Sequence, residues 1–137
     1  MTYLLDTNAC IALINDKAPS VRMRLQKALA NDARILVSSV VAFELWYGVA
    51  KSARPEANAR LVETFFAGPV SLLAFEQEDA KVAGRVRAAL EAVGKPIGAY
   101  DLLIAAQALR HQLTLITANG KEFGRVKRLE WVDWAKA

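Results

Sequence analysis

Three acidic residues lie at positions where a solvated acid is not expected. Asp6 ends a short apolar run, Glu44 lies in the apolar stripe of a predicted helix, and Asp101 begins a helix that is apolar nearly all round. Residues 117–123 follow another apolar run and offer further oxygen atoms. Oxygen atoms gathered without histidine or cysteine would repel one another unless a hard cation joined them, and such sites suit Mg²⁺ or Mn²⁺.

A cation held by carboxylates indicates a class of chemistry. It can activate water, and it can stabilise the charge that builds on a phosphate while a phosphodiester bond is cleaved. The formal net charge of +4 suits a phosphate backbone, although many basic proteins bind none. The fold must therefore bring the acids together if they are to act in this way.

The first predicted element places Asp6 at the end of a strand. The run Leu4–Leu5 belongs to a short buried strand, and Thr7 or Asn8 begins a helix that extends to about Asn15. Ligands of open α/β sheets collect at the carboxyl ends of the strands, so Asp6 is well placed to contact one. The alternative, that Asp6 is only a capping acid in front of a helix, is more common for a single such residue.

Glu44 belongs to the helix predicted over residues 40–51. Its stripe, at spacings i, i+3, i+4 and i+7, consists of Val41, Glu44, Leu45 and Gly48. A glutamate that faces the core is unfavourable unless something compensates it. Because glycine costs a helix about 1 kcal/mol relative to alanine, Gly48 indicates that room is needed beside Glu44. A buried salt bridge, or a glutamate at the edge of the stripe that reaches water, would also explain the pattern.

Asp101 follows the segment Pro96–Tyr100 and begins the helix predicted over residues 99–112, which should be central and buried. The N-terminus of a helix lowers the pKa of a carboxylate and favours anionic ligands, so we expect a lowered pKa for Asp101. The alternative is that Asp101 is a simple N-terminal cap.

The segment of residues 117–123 follows the strand predicted over residues 113–116. The end of that strand should lie at the same edge of the sheet as Asp6. The oxygen donors that it offers are Thr117, Asn119 and Glu122. A surface turn is the alternative, because Asn-Gly is a common turn pair.

The remaining elements alternate short apolar strands with helices. Further strands are predicted at residues 35–37, 70–73 and 129–132, and further helices at residues 20–30, with Ser20 as cap, 55–68 and 76–94. This alternation favours an α/β fold with a mostly parallel sheet of four or five strands covered by helices on both faces. The chain, residues 1–137, fits one domain.

Composition excludes other classes of protein. The hydrophobic fraction of 54% and the charged fraction of 23% are typical of a soluble globular protein, and no apolar run reaches the length of a membrane span, so we expect no membrane partner. The single cysteine, Cys10, cannot form an internal disulfide, which favours the cytoplasm and a packing role. His111 should interact with the C-terminus of its helix. Four aromatic residues in helix stripes are expected to be core or dimer contacts: Trp46, Tyr47, Phe65 and Phe66.

Four segments together resemble the PIN-domain ribonucleases and, more narrowly, the VapC toxins of bacterial and archaeal toxin–antitoxin pairs. They are Leu5–Asn8, Ser38–Gly48 with Glu44 four residues before the glycine, Pro96–Ala106, and Thr117–Phe123. The match covers almost the whole chain, in order and with suitable spacings.

The resemblance implies a PIN-like three-layer α/β sandwich and a Mg²⁺- or Mn²⁺-dependent endoribonuclease. Asp6, Glu44 and Asp101 would be both catalytic residues and metal ligands, and in-line displacement at phosphorus would leave 5′-phosphate and 3′-hydroxyl ends. The implied partners are the RNA substrate, a second copy of the chain in a homodimer, and a VapB-type antitoxin that lays an extended segment and a helix across the active-site groove.

The chain departs from the family at the fourth acid, where many PIN domains have aspartate and this chain has Asn119, with Glu122 close by. Whether Asn119, Glu122 or only Thr117 completes the site stays open, and Thr7 and Asn8 are further supporting positions. An amide oxygen binds Mg²⁺ more weakly than a carboxylate, so we expect one tight metal at most without substrate.

Two other functions fit parts of the sequence. A catalytically weak PIN-like module would bind RNA or protein only; Asn119 favours it, and the three principal acids argue against it. An aspartyl-phosphate enzyme or receiver domain also places an aspartate at a strand end. Asp6 has no second aspartate two residues on, and the adjacent acids Glu78 and Asp79 lie at the start of a predicted helix instead of at the end of a strand.

Overall fold

The structure is a computed structural model that describes residues 1–136. The strands are β1 (Thr2–Leu5), β2 (Arg34–Ser38), β3 (Ser71–Leu73), β4 (Thr114–Ile116) and β5 (Trp131–Val132). The helices are α1 (Thr7–Asn15), α2 (Pro19–Ala30), α3 (Ser39–Lys51), α4 (Pro55–Ala67), α5 (Gln77–Ala92), α6 (Ala99–His111) and the short α7 (Gly120–Phe123).

The five strands form one sheet in the order β3-β2-β1-β4-β5, and every neighbouring pair is parallel. The chain moves outward from β1 through β2 to β3, and then crosses to the other side of β1 for β4 and β5. The direction therefore reverses between β1 and β4. The carboxyl ends of these two strands define the switch point, where open α/β sheets bind their ligands. The predicted α/β class, with a parallel sheet flanked by helices, is confirmed.

The core lies around the three central strands. Leu4 and Leu5 of β1, residues 35–37 of β2 and Leu115 of β4 are all buried, since parallel strands covered on both faces need continuous apolar sequence. The edge strands β3 and β5 are more exposed. Helix α6 is central, as predicted: its buried residues are Leu102, Ile104, Ala105, Ala106, Gln107 and Ala108.

One local prediction was wrong, and one helix was missed. Helix α2 begins at Pro19 after Ala18, because proline has its φ angle already fixed for the first helical position; Ser20 lies inside the helix, and its hydroxyl donates to the Trp134 carbonyl at 2.7 Å. Helix α7 was not predicted, because four residues are too short for a helical period to show. Within residues 1–136, none of the helices has the length and apolar character needed to cross a bilayer.

Candidate metal centre

Asp6 lies between β1 and α1, at the switch point, and is only 4% exposed. Its Oδ1 accepts the Ala9 N–H at 2.8 Å, so it caps α1, and the Thr117 hydroxyl also hydrogen-bonds to its carboxylate. Burial raises the pKa of Asp6, the two hydrogen bonds lower it, and the charge of Glu44 raises it again; the net direction is upward. Asp6 therefore does cap α1, and Glu44 is close enough for its charge to act on Asp6.

Glu44 is half-buried on α3, between the buried residues Val41 and Leu45. Its Oε1 accepts the Thr7 hydroxyl at 2.7 Å, which ties α3 to the first turn of α1. Glu44 thus lies at the edge of the apolar stripe. Gly48 has open space where a Cβ would be, and it lines a cavity of about 220 Å³ that Glu44 also lines, so the predicted room beside Glu44 is present.

Asp101 is the third residue of α6, and Gly98 is the cap of that helix, so the simple-cap interpretation of Asp101 is wrong. The predicted lowering of its pKa is also wrong, because the pKa of Asp101 is raised to about 7. Burial is the largest cause, followed by the hydrogen bond and charge of Glu122 and then by the charges of Asp6 and Glu44. Burial and like charges outweigh the dipole of the helix.

Glu122 lies on α7 and completes the group. Its Oε1 accepts the Gly98 N–H at 3.0 Å, its Oε2 accepts the Asn119 side-chain amide at 2.7 Å, and it is hydrogen-bonded to Asp101. The Asp101 hydrogen bond is the largest cause of its lowered pKa, with the Gly98 N–H next. The pair therefore holds one proton below about pH 7, on the side of Asp101.

The structure thus places Glu122, Asp6 and Glu44 close enough to Asp101 for their charges to raise its pKa. The Thr7 hydroxyl hydrogen-bonds to Glu44, and the Thr117 hydroxyl hydrogen-bonds to Asp6. Asn8 is exposed on the first turn of α1.

Sequence reasoning missed the Gly98 N–H, and it left Glu122 as one of three possible fourth groups. A usable signal existed, because Asn119 and Glu122 have the spacing of a capping box, N-cap and N3.

The chemical type of the donors suits a hard divalent cation. All four acids offer oxygen atoms. Burial is the largest cause of the raised pKa values of Asp6 and Asp101, and the negative charges of neighbouring acids raise them further. The positive charge of Arg125 also acts on Glu122, but it lowers the pKa of Glu122 less than the hydrogen bonds from Asp101, Gly98 and Asn119 do. An oxygen-only group with uncompensated charge is the kind of site that Mg²⁺ or Mn²⁺ occupies.

A second acidic cluster lies at the other end of α6. Ligand atoms of Glu76, Asp79 and His111 all lie within 4.8 Å of one another, which could hold a metal ion. However, Arg110 lies across this cluster, where its Nε donates to Asp79 and its Nη2 donates to Glu76 at 2.8 Å. His111 lies at the end of α6, where an interaction with the helix C-terminus was expected, and its Nε2 lies 3.6 Å from Asp79 Oδ1. The positively charged guanidinium of Arg110 therefore already neutralises this cluster.

Comparison with known families identifies the class of protein. Residues 3–129 match the model of the PIN domain, so the chain belongs to the PIN domain family. The fold and the acids at the switch point agree with that assignment.

Relatives within this family include proteins named VapC ribonucleases. The chain is 37% identical over 135 residues to the tRNA(fMet)-specific endonuclease VapC of Shigella flexneri, covering 98% of this chain and 99% of that protein. It is 38% identical over 136 residues to ribonuclease VapC2 of Rickettsia felis, covering 99% and 100%. The crystal structure of VapBC2 from Rickettsia felis, bound to a promoter DNA fragment, has a TM-score of 0.91 at 36% identity and covers 98% of this chain and 99% of that one. The resemblance to VapC proteins is confirmed.

Proposed function

We propose that this chain is a Mg²⁺- or Mn²⁺-dependent endoribonuclease that acts as the toxin of a toxin–antitoxin pair. The observation that supports this most strongly is that Glu122, Asp6 and Glu44 lie around Asp101 at the switch point of the sheet, close enough for their charges to raise its pKa. The similarity to proteins named VapC ribonucleases supports RNA as the substrate. The chain would act as one PIN-like domain, residues 1–137, in the cytoplasm, where RNA and an antitoxin are available.

In this proposal Asp6, Glu44 and Asp101 hold the cation and Glu122 is the fourth acid beside them. A divalent cation bound there would supply an activated water and would neutralise charge on the scissile phosphate. The chain's own residues prepare the acids: the Ala9 N–H and Thr117 orient Asp6, and Thr7 orients Glu44. Groups that are already oriented lose little freedom when the substrate is bound.

Asp101 is hydrogen-bonded to Glu122 and has a pKa of about 7, so this pair keeps a proton below about that pH. Loss of that proton exposes a second charge to the site, so the affinity for a cation should rise as the pH passes through about 7. We expect in-line displacement at phosphorus, with 5′-phosphate and 3′-hydroxyl ends.

The experiment is cleavage of a single-stranded RNA during titration with Mn²⁺, for the wild type, Asp6→Asn and the control Asp32→Asn. Asp32 is exposed with a φ of 62°, a conformation that asparagine tolerates, so the control makes the same change away from the site. We expect Asp6→Asn to lose at least about a hundredfold in rate and the control to match the wild type. Metal-dependent cleavage by Asp6→Asn at the wild-type rate would contradict the proposal.

The alternative function is a PIN-like module that binds RNA or protein without cleaving RNA. Asn119, in place of an acid, is the observation that favours it. The same titration separates the two functions, because such a module would retain RNA in a gel-shift assay and give no product at any Mn²⁺ concentration.

We propose that a VapB-type antitoxin binds the groove between α1, α3 and α4. Ile11 and Leu61 are large apolar residues that are 40% and 46% exposed there, and the groove extends to Glu44. Structural neighbours solved as toxin–antitoxin complexes support such a partner. Leu61→Asp should release the antitoxin and leave RNA cleavage unchanged, as measured by calorimetry with the purified antitoxin; unchanged binding would contradict this location.

We also propose that the chain forms a homodimer through an aromatic cluster on α3 and α6. Phe43, Tyr47 and Tyr100 are 52%, 56% and 47% exposed, and the Phe43 ring lies 6.4 Å from the Tyr47 ring and 5.7 Å from the Tyr100 ring. Trp46 is also exposed, whereas Phe65 and Phe66 pack against the core. Light scattering of the wild type and of Tyr47→Ser tests this: a dimeric wild type and a monomeric variant are expected, and a monomeric wild type would contradict it.

A further inference from the structure

We propose that Asn119 is a positioning residue and not a metal ligand, and that its side-chain amide holds the Glu122 carboxylate in the metal centre. This inference depends on the proposed function, in which Glu122 is the fourth acid. It explains how the chain can do without an acid at position 119.

The local geometry shows that Asn119 is engaged at two points. Its backbone N–H donates to Thr117 Oγ1 at 2.9 Å, which fixes the start of α7. Its side-chain Nδ2 donates to Glu122 Oε2 at 2.7 Å. Asn119 is the N-cap residue of α7, yet its side chain makes no capping bond to the helix backbone. The amide is therefore directed to Glu122 rather than to the cap position.

The Glu122 carboxylate is held from both sides. One oxygen accepts the Asn119 amide, and the other accepts the Gly98 N–H at 3.0 Å, immediately before α6. This places Glu122 in hydrogen-bond contact with Asp101, which is on the first turn of α6. A carboxylate with both oxygens bound has little rotational freedom, so removing either partner should displace it.

The same contacts form a continuous path between acids from distant parts of the chain. The path runs from Asp6 through the Thr117 hydroxyl to the Asn119 backbone, and from the Asn119 side chain through Glu122 to Asp101. Outer partners of this kind orient metal-binding carboxylates, and their loss typically weakens metal affinity by about 10–100-fold.

The positioning role and the ligand role predict opposite effects of Asn119→Asp. If the residue were a ligand through its oxygen, a carboxylate would bind the cation more tightly. If it positions Glu122, the change replaces the N–H donor by a negative oxygen facing a carboxylate at 2.7 Å. Like charges at that distance repel, and Glu122 would leave the site.

The test is Mn²⁺ affinity without RNA, measured by electron paramagnetic resonance of the free ion. The variants are Asn119→Asp, Glu122→Gln and the double variant Asn119→Asp/Glu122→Gln, which restores an amide–carboxylate pair with the donor and acceptor exchanged. We expect Asn119→Asp to bind Mn²⁺ about 10–100-fold more weakly than the wild type, and the double variant to regain at least part of that loss. The control Asn31→Asp makes the same charge change at an exposed position at the end of α2 and should bind as the wild type does.

A metal-free measurement completes the test. In the ¹⁵N-labelled protein the Asn119 side-chain amide should exchange slowly with solvent, and Glu122→Gln should shift its resonances. Equal or tighter Mn²⁺ binding by Asn119→Asp, no recovery in the double variant, or an Asn119 amide that Glu122→Gln leaves unchanged would each overturn the positioning role. If the wild type neither binds Mn²⁺ nor cleaves RNA, the proposed function fails. If the wild type does both but the Mn²⁺ affinities of the variants do not follow the expected order, only this inference fails.

Discussion

Helix α6 has an acidic cluster at each end, and the two clusters behave differently. At its N-terminus Asp101 meets Asp6, Glu44 and Glu122, and the pKa of Asp101 is raised to about 7. At its C-terminus the buried Asp79 meets Arg110 and His111. The two ends are separated by ten residues, or about 15 Å at the rise of an α-helix.

The difference lies in the source of positive charge. Arg110 neutralises Asp79 and Glu76, and its hydrogen bond to Asp79 is the main cause of its raised pKa. Around Asp101, burial and the charges of Glu122, Asp6 and Glu44 raise the pKa of Asp101 instead. A geometric cluster of ligand atoms is therefore a poor guide to a metal centre unless the charge balance is examined with it. An acidic site that has no positively charged side chain across it is the better candidate for binding a metal cation.

The largest expected effect comes from Asp101→Asn. We expect RNA cleavage to fall at least about a hundredfold, because a charge that holds the cation is lost. The thermal stability of the metal-free protein should rise at pH 8, by roughly 3–5 °C for each kcal/mol gained. A melting curve by circular dichroism measures the second effect, and a variant less stable than the wild type at pH 8 would argue against charge repulsion in the site.

The sign of this stability change follows from the pKa of Asp101. Its folded pKa, about 7, is higher than the ordinary value of 3.8, so the folded state binds the proton more strongly. Stability from this group is therefore present below about pH 4 and is lost as the pH rises to about 7. The lowered pKa of Glu122 acts in the opposite direction and offsets part of the loss. The gain of Asp101→Asn should accordingly vanish below about pH 4.

Asp79→Ala should give the opposite result at the other end of α6. The change removes the partner of Arg110 and the acceptor of the Glu76 N–H, and Asp79 is fully buried. We expect a loss of about 1–3 kcal/mol in the free energy of unfolding, measured in urea. Cleavage per folded molecule should stay at the wild-type level, and a specific loss of activity would place this cluster in the catalytic machinery.

Mn²⁺ should stabilise only proteins whose acids at the switch point are intact. At a hundredfold excess over its dissociation constant, a ligand adds about 2.7 kcal/mol to stability. We expect a rise in Tm for the wild type and for Asp79→Ala, and little for Asp101→Asn. Equal stabilisation of all three by Mn²⁺ would locate the metal elsewhere.

Gly120→Ala should have the smallest effect. A Cβ at Gly120 would lie 2.1 Å from the Trp131 ring, so the ring or α7 must move. Overpacking of this kind costs about 1–3 kcal/mol, and Trp131 is partly exposed and can yield, so we expect the low end of that range. Because α7 holds Glu122, Mn²⁺ affinity should fall with stability. Calorimetry that shows unchanged stability and unchanged affinity would mean that the Trp131 contact does not position α7.

Much of the fold could be predicted because local signals agreed with it. Pro55 and the Gly68–Pro69 pair bound α4, and the continuous apolar run of residues 35–37 marks a buried strand, as the structure confirms. Hydrophobic periodicity could not reveal α7, because that helix is only four residues long. The predicted start of α2 was misplaced because Pro19, where the helix begins, precedes the more obvious capping residue Ser20.

The sequence by itself determined the order of the elements, the parallel sheet and the types of acid at Asp6, Glu44 and Asp101, since these follow from local polarity and chain direction. Tertiary structure alone decided that Glu122 joins Asp101 and that Arg110 neutralises Asp79. The raised pKa of Asp101 was decided in the same way, against the expectation from its own helix. The physical reason is that hydrogen bonds and charge–charge interactions depend on distances between residues far apart in sequence, which no local pattern specifies.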